Sequence, residues 1–252
     1  MSMQGKLALV SGAAQGIGAS IALALGEQGV IVAALDLQAE ALAQLAHPNI
    51  HPYPVDLRSS LAVNEVVARI EAELGAIDIL VNVAGVLRLG AICNLSLDDW
   101  EQTFAVNTHG VFYLSQAVAQ RMMPRRAGSI VTVGSNAAEV PRMQMAAYAA
   151  SKAASSHFTK CLGLELAEYG IRCNIVSPGS TDTAMQRQLW IDESDRQKVI
   201  DGALPSYRSG IPLRRIADVA DVTAPVLFLL SDAARHITMH NLCVDGGATL
   251  GI

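Results

Sequence analysis

The sequence predicts an α/β fold built on a doubly wound parallel sheet, and three observations point there. Short β-rich runs alternate with longer helical patterns along the chain. Several of those runs are apolar throughout, as strands covered on both faces are. A glycine-rich turn joins the first strand to the first helix, the place where such folds hold a nucleotide.

The strands follow in order. KLALVSG (6–12) leads into the helical stretch ASIALALGEQG, and VIVAALD (30–36) comes next. HPYPVD (51–56) precedes SSLAVNEVVARIEAELG, whose paired serines offer a helix cap. DILVNVAG (78–85), SIVTVGS (129–135), RCNIVSPG (172–179) and NLCVDGG (241–247) complete about seven strands, with DVADVTAPVLFLLSD as the last helix. Most strands end in Gly, Asp, Asn or Ser, residues suited to the loop that follows. No repeat or composition shift divides the 252 residues, so a single domain over 1–252 is expected. Residues 180–217 break the rhythm: they are polar and sit after the sixth strand, where an insertion forms a lid over a binding crevice. A surface excursion is the plainer alternative.

Composition narrows the function classes. Hydrophobic residues make up 51% and charged residues 16%, enough for a sizeable core, and aromatics only 4%. The formal charge is −5 and no basic stripe runs along the chain, so nucleic acid is not an expected partner. MSMQGKLALVSG has neither the apolar run nor the cleavage site of a signal peptide. No uninterrupted apolar stretch approaches the roughly 20 residues of a membrane span. Four scattered cysteines without a CxxC pair fit free thiols in a reducing compartment. The six histidines form no ligand pattern. The expectation is a cytoplasmic protein with no metal site.

The turn SGAAQGIG places Gly12, Gly16 and Gly18 at the opening of a helix, with Gln15 and Ile17 between them. Glycines let the backbone approach a pyrophosphate, and the helix N-terminus offers free N–H groups. Asp36 ends the second strand where an acidic residue meets ribose hydroxyls, and neither Gln15 nor Leu37 supplies a cation for a 2′-phosphate. NAD is therefore expected rather than NADP. Asp56, followed by Leu57, ends the third strand, where its carboxylate could accept from an adenine amino group or begin a turn.

Tyr148 and Lys152, four apart in PRMQMAAYAASK, share a helix face. Ser135 lies thirteen residues before Tyr148, Asn107 lies in FAVN, Asn82-Val-Ala84-Gly85 closes the fourth strand, and Pro178-Gly179 the sixth. Together with the glycine turn, this set resembles the short-chain dehydrogenase/reductase family over essentially the whole chain. The resemblance implies a Rossmann-type fold and a catalytic tetrad of Asn107, Ser135, Tyr148 and Lys152. Tyr148 would act as base, Ser135 would donate to the substrate oxygen, and Asn107 would position a water. Lys152 would hold the nicotinamide ribose and, with the cofactor's charge, lower a phenol pKa of about 10. Thr181 and Thr183 would grip the nicotinamide amide. Ser11 and Val83 replace the Thr and Asn common in the family, and Asn136 follows the serine where small residues are frequent.

The variable segments 85–107, 139–152, 177–190 and 209–221 imply, by the same resemblance, a cyclic dihydrodiol carboxylate that is aromatised to a catechol acid for siderophore biosynthesis. A carboxylate calls for arginine's planar fork. Arg88 and Arg142 both follow strands at the carboxyl edge of the sheet, and a surface salt bridge is the alternative for each. Met185 and Gln186 on the lid are candidates for ring and hydroxyl contacts. The resemblance also implies a homotetramer built through helices near 98–122 and 148–168 and the C-terminal tail. Within the family, the nearest alternative is an NADPH-dependent 3-oxoacyl-carrier-protein reductase. A noncatalytic NAD-binding regulator would have no use for all four tetrad residues.

Overall fold

Strand register decides which side chains enter which half of the core. Along β1 (Leu7–Ser11), Ala8 and Val10 face one side while Leu7 and Leu9 face the other. All four are buried, so both faces must be covered. The same division holds in β2 (Ile31–Asp36), where Val32 and Ala34 oppose Ala33 and Leu35. A computed structural model describes residues 3–190 and 193–251, and the lid positions Ile191 and Asp192 lie outside that description, as do Met1, Ser2 and Ile252.

The remaining strands are β3 (Ile50–Pro54), β4 (Ile77–Asn82), β5 (Gly128–Val133), β6 (Ile171–Pro178) and β7 (Asn241–Val244). Every pairing is parallel and the order is β3-β2-β1-β4-β5-β6-β7. The seven expected strands are all present, each within a few residues of its expected ends. The order reverses direction at β1, so a crevice opens at the carboxyl ends of β1 and β4.

One face is covered by α1 (Gly16–Glu27) and a helix at Val219–Leu230, and the other by α3 (Ser60–Leu74), α5 (Val111–Arg125) and α6 (Ala146–Leu166). A short α2 (Ala39–Ala43) follows β2, and α4 (Leu97–Phe104) runs into α5 through a π-helical segment, Ala105–Gly110. Fully buried side chains such as Ile21, Leu80, Leu114 and Ile130 fill the two halves, each contributing roughly 1.5–3 kcal/mol. Among the described residues, no helix is long and apolar enough to cross a membrane.

The 180–217 segment contains α7 (Ala184–Arg187) and α8 (Glu193–Asp201), so the helix at Val219–Leu230 is α9. Thr183 caps α7 by accepting from the Gln186 N–H. The segment has its own small core of Val199, Ile200, Ile211 and Ile216. Its base is fastened by Asp182 N to Ala217 O and by Ala217 N to Ser180 O. The segment thus has its own packing and is fastened to the body at both ends.

Candidate active site

A cavity of about 510 Å³ occupies the crevice, lined from the glycine turn at one end to the lid at the other. The glycine end is shaped by close approach. A Cβ at Gly12 would lie 2.7 Å from the Ala84 backbone, and one at Gly18 only 2.0 Å from the Gly12 carbonyl. Gln15, at the N-cap of α1, makes no side-chain cap, and the first turn holds no acidic residue. The first N–H groups of α1 are thus left for an anion. These features fit the pyrophosphate of a dinucleotide.

Two carboxylates stand along the same wall. Asp36 accepts from the N–H groups of Ala14 (3.1 Å) and Gln38 (3.0 Å), so it also shapes the turn it serves. Asp56 is paired with Arg58 at 2.7 Å, and the Arg58 side chain holds its carboxyl below the usual range. Both expectations for Asp56 are thus compatible: it begins the turn before the Ser59 cap of α3 and still faces the cavity. Arg58, which sequence reasoning missed, lines that end as well, but its charge is spent on Asp56.

The expected chemical groups converge at the centre. Tyr148 lies in the first turn of α6 and Lys152 one turn on, with Lys152 Nζ 6.0 Å from the tyrosine ring centroid. Lys152 is buried and donates to the Val133 carbonyl at 2.8 Å. Ser135 begins a short 3₁₀ turn, and its Oγ accepts from the Ala137 N–H at 3.1 Å, which leaves its own proton to donate toward the cavity. Burial pushes the Tyr148 phenol up, with Ser135 hydrogen bonding as an opposing influence, and pushes Lys152 down to about 8. In the ligand-free protein removal from water is the larger influence on the phenol, whereas the expected lowering by Lys152 belongs to the cofactor-bound site.

Asn107 and Asn82 do not line the cavity. The Asn107 side chain accepts from Val86 N (2.8 Å) and donates to Val86 O (2.9 Å) and Ser151 Oγ (3.0 Å). Ser151 in turn donates to the Tyr148 carbonyl. With these partners the Asn107 side chain ties the chain after β4 to α6 from the π-helical segment. Asn82 is turned inward, toward Ser115 and Thr132. At the ends of β1 and β4, Ser11 Oγ accepts from Val83 N (3.0 Å) and Ala84 N (3.3 Å). Asn136 donates to Asp245 of the C-terminal tail.

At the lid end, Met185 and Gln186 line the cavity, and the Gln186 Nε2 is buried without a partner among the described residues. Thr181 and Thr183 stand at the lid's base beside Pro178-Gly179. Arg88 is exposed, lines the rim of the cavity and lies 3.5 Å from Asp99, so it has a salt-bridge partner as well as a place on the cavity wall. Arg142 is half-buried on the cavity wall. Arg208, another residue that sequence reasoning missed, reaches the same cavity from the lid. No group of three or more metal-binding side chains occurs among the described residues.

Comparison with known proteins agrees with this geometry. A family model described as enoyl-(acyl carrier protein) reductase matches residues 12–249. The 2,3-dihydro-2,3-dihydroxybenzoate dehydrogenase of Bacillus subtilis (strain 168) is 57% identical, with 99% of this chain and 98% of that protein covered. The protein of the same name from Escherichia coli (strain K12) is 45% identical over 100% of both. A crystal structure of a short-chain type dehydrogenase/reductase from Mycobacterium marinum superposes with a TM-score of 0.89 at 32% identity, covering 98% of this chain and 97% of that one.

Proposed function

Given that the chain belongs to the short-chain dehydrogenase/reductase family, we propose that it oxidises 2,3-dihydro-2,3-dihydroxybenzoate to 2,3-dihydroxybenzoate with NAD as hydride acceptor. The product is the catechol acid from which catecholate siderophores are built. The observation that carries the reading is the convergence of Ser135, Tyr148 and Lys152 with the arginine-bearing end of one cavity, together with full-length relatives bearing that activity in their names.

The glycine turn with Gln15 and Ile17, Asp36, Asp56-Leu57, Ala84-Gly85 and the 178–183 segment would hold the dinucleotide. When bound in its oxidised form, the nicotinamide supplies the hydride acceptor and a positive charge beside the phenol. Tyr148 takes the proton of the substrate hydroxyl as the carbon–hydrogen bond breaks. Ser135 donates to the same oxygen, and Lys152 bonds the ribose and stabilises the phenolate. Asn107 acts through the Val86 backbone and Ser151 to keep these groups in register. The resulting ring ketone tautomerises to the catechol, and aromatisation draws the reaction toward oxidation. Asp36 supports NAD over NADP because a carboxylate repels a 2′-phosphate.

A homotetramer is part of the proposal. Its support is the exposed Phe112 on α5, Leu164 on α6 and Leu250 in the tail, large apolar side chains that a subunit contact would cover. A cytoplasmic setting is supported by the free thiols.

The test is direct. Purified protein, NAD⁺ and the dihydrodiol acid should give NADH absorbance and the catechol product in equal amounts. No turnover of this diol, with robust NADPH-dependent reduction of 3-oxoacyl thioesters, would overturn the reading.

A further inference from the structure

Arg208 is delivered to the cavity by an unusual piece of chain. Ala203 and Arg208 exchange two backbone hydrogen bonds, Ala203 N to Arg208 O at 2.9 Å and Arg208 N to Ala203 O at 3.1 Å. The loop between them closes through Tyr207 in the left-handed region, at φ 53°. This small hairpin turns Arg208 inward while Leu204 and Tyr207 stay exposed. The guanidinium then donates from Nη2 to the Ser180 hydroxyl at 2.8 Å, just past the end of β6. Of five N–H donors on the group, this is the one bond to a described residue.

Arg142 approaches from the other side, on the loop before α6, where its carbonyl accepts from Met145 N, and its guanidinium makes no hydrogen bond or ion pair with any described residue. The two cations are close enough that Arg142, after burial, is a cause of the depressed Arg208 pKa of about 10, so both stay protonated at neutral pH. Asp245 is the opposing carboxylate felt by Arg142. Its oxygens are already taken by Asn136, Gly247 and Thr249. Two half-buried guanidiniums with unused donors and no carboxylate between them are costly unless an anion joins them.

We propose that Arg208 and Arg142 jointly grip the substrate carboxylate, Arg208 from the lid and Arg142 from the body, making Arg208 a specificity-determining residue. The inference rests on the dihydrodiol carboxylate reading of the site. One carboxylate can accept from two forks at once, and the same contact would tie the lid across the reacting ring.

The experiment compares wild type, Arg208→Met, Arg208→Lys, Arg142→Met and the double Met variant. Each is assayed with 2,3-dihydro-2,3-dihydroxybenzoate and with the diol that lacks the carboxyl. In parallel, calorimetry measures binding of 2,3-dihydroxybenzoate and of catechol. Arg208→Met should raise KM for the acid at least about ten-fold more than for the carboxyl-free diol, with kcat less affected. It should weaken the acid product over catechol by a similar factor. Arg208→Lys should recover a substantial part of the loss, and the double variant should lose less than the product of the single losses, as partners of one anion do. Equal losses on both substrates, or an unchanged acid KM, would overturn the role of Arg208. Calorimetry keeps the two proposals separate. Failure of the wild type to oxidise the acid defeats the reaction, whereas loss of selective binding of the catechol acid in the arginine variants supports the clamp by itself.

Discussion

Lys152 Nζ lies 6.0 Å from the centroid of the Tyr148 ring, and burial drives the two groups in opposite directions. The phenol is pushed toward its neutral form and so is the amine, since either charge is costly away from water. The site in its ligand-free state therefore resists the charged pair its chemistry requires. A cationic ring beside the phenol would favour the charged pair, since an opposite charge nearby stabilises a phenolate.

Tyr148→Phe removes the proposed base and the Ser135 contact to its hydroxyl while leaving the ring near Lys152. Turnover should fall by about 10²–10⁴-fold, the usual contribution of a positioned base. The dissociation constant for NAD should change by no more than about three-fold, because the glycine turn is untouched. Activity of the wild type should rise with pH as the base loses its proton, and this limb should be absent from the variant's residual rate. Stopped-flow rates and fluorescence titration with NADH check both; a variant at wild-type speed would remove Tyr148 from the mechanism.

Lys152 gives a stability prediction with a definite sign. Its folded pKa of about 8 lies below the ordinary 10.5, so between those values the unfolded chain binds more protons. Stability from this group is thus lowest below pH 8 and rises toward pH 10.5, by roughly 3 kcal/mol as an upper figure. Lys152→Met has no such dependence. The unfolding free energy of wild type minus that of Lys152→Met should increase across this window, measured by urea denaturation at each pH. A flat difference would mean the ammonium is solvated in the folded protein.

The sheet could be read from the sequence because parallel strands carry their signal locally: runs such as LALVS and ILVN are apolar on both faces and stop at a turn residue. The grouping of Ser135, Tyr148 and Lys152 and the glycine turn were readable for a related reason, since the serine and the glycines follow strand ends and Tyr148 and Lys152 stand one helical turn apart. Arg208 was not. It meets Ser180 across 28 positions, through a hairpin whose left-handed residue is Tyr207 rather than the glycine or asparagine that would announce it. Arg88 is harder to read for the converse reason. Its position after β4 is correct for a ligand contact, but Asp99, on the following helix, is near enough to pair with it. Charge pairing across a loop has no periodicity to detect.

Ser11 tests the join between β1 and β4. Ser11→Ala would leave the N–H groups of Val83 and Ala84 without their acceptor beside the cavity. The expected cost is about 1–3 kcal/mol, visible as a lower urea midpoint with unchanged slope. Ser11→Thr retains the oxygen and should stay within about 0.5 kcal/mol of wild type. An alanine variant as stable as the threonine one would show that water replaces the hydroxyl at no cost.

Asp36 decides the proposed cofactor preference, and its two hydrogen bonds limit how the test is made. Because its oxygens hold the Ala14 and Gln38 N–H groups, Asp36→Asn is the suitable change: it removes the charge while keeping one strong acceptor. Repulsion of a 2′-phosphate disappears, but no cation replaces it, since Leu37 is apolar and Arg58 is held by Asp56. The ratio of kcat/KM for NAD to that for NADP should therefore narrow by at least about ten-fold without inverting, a difference of about 1.4 kcal/mol. Most of the change should come from KM. An unaltered ratio would place cofactor choice elsewhere on the cavity wall, and an inverted one would mean that Arg58 leaves Asp56 for the phosphate.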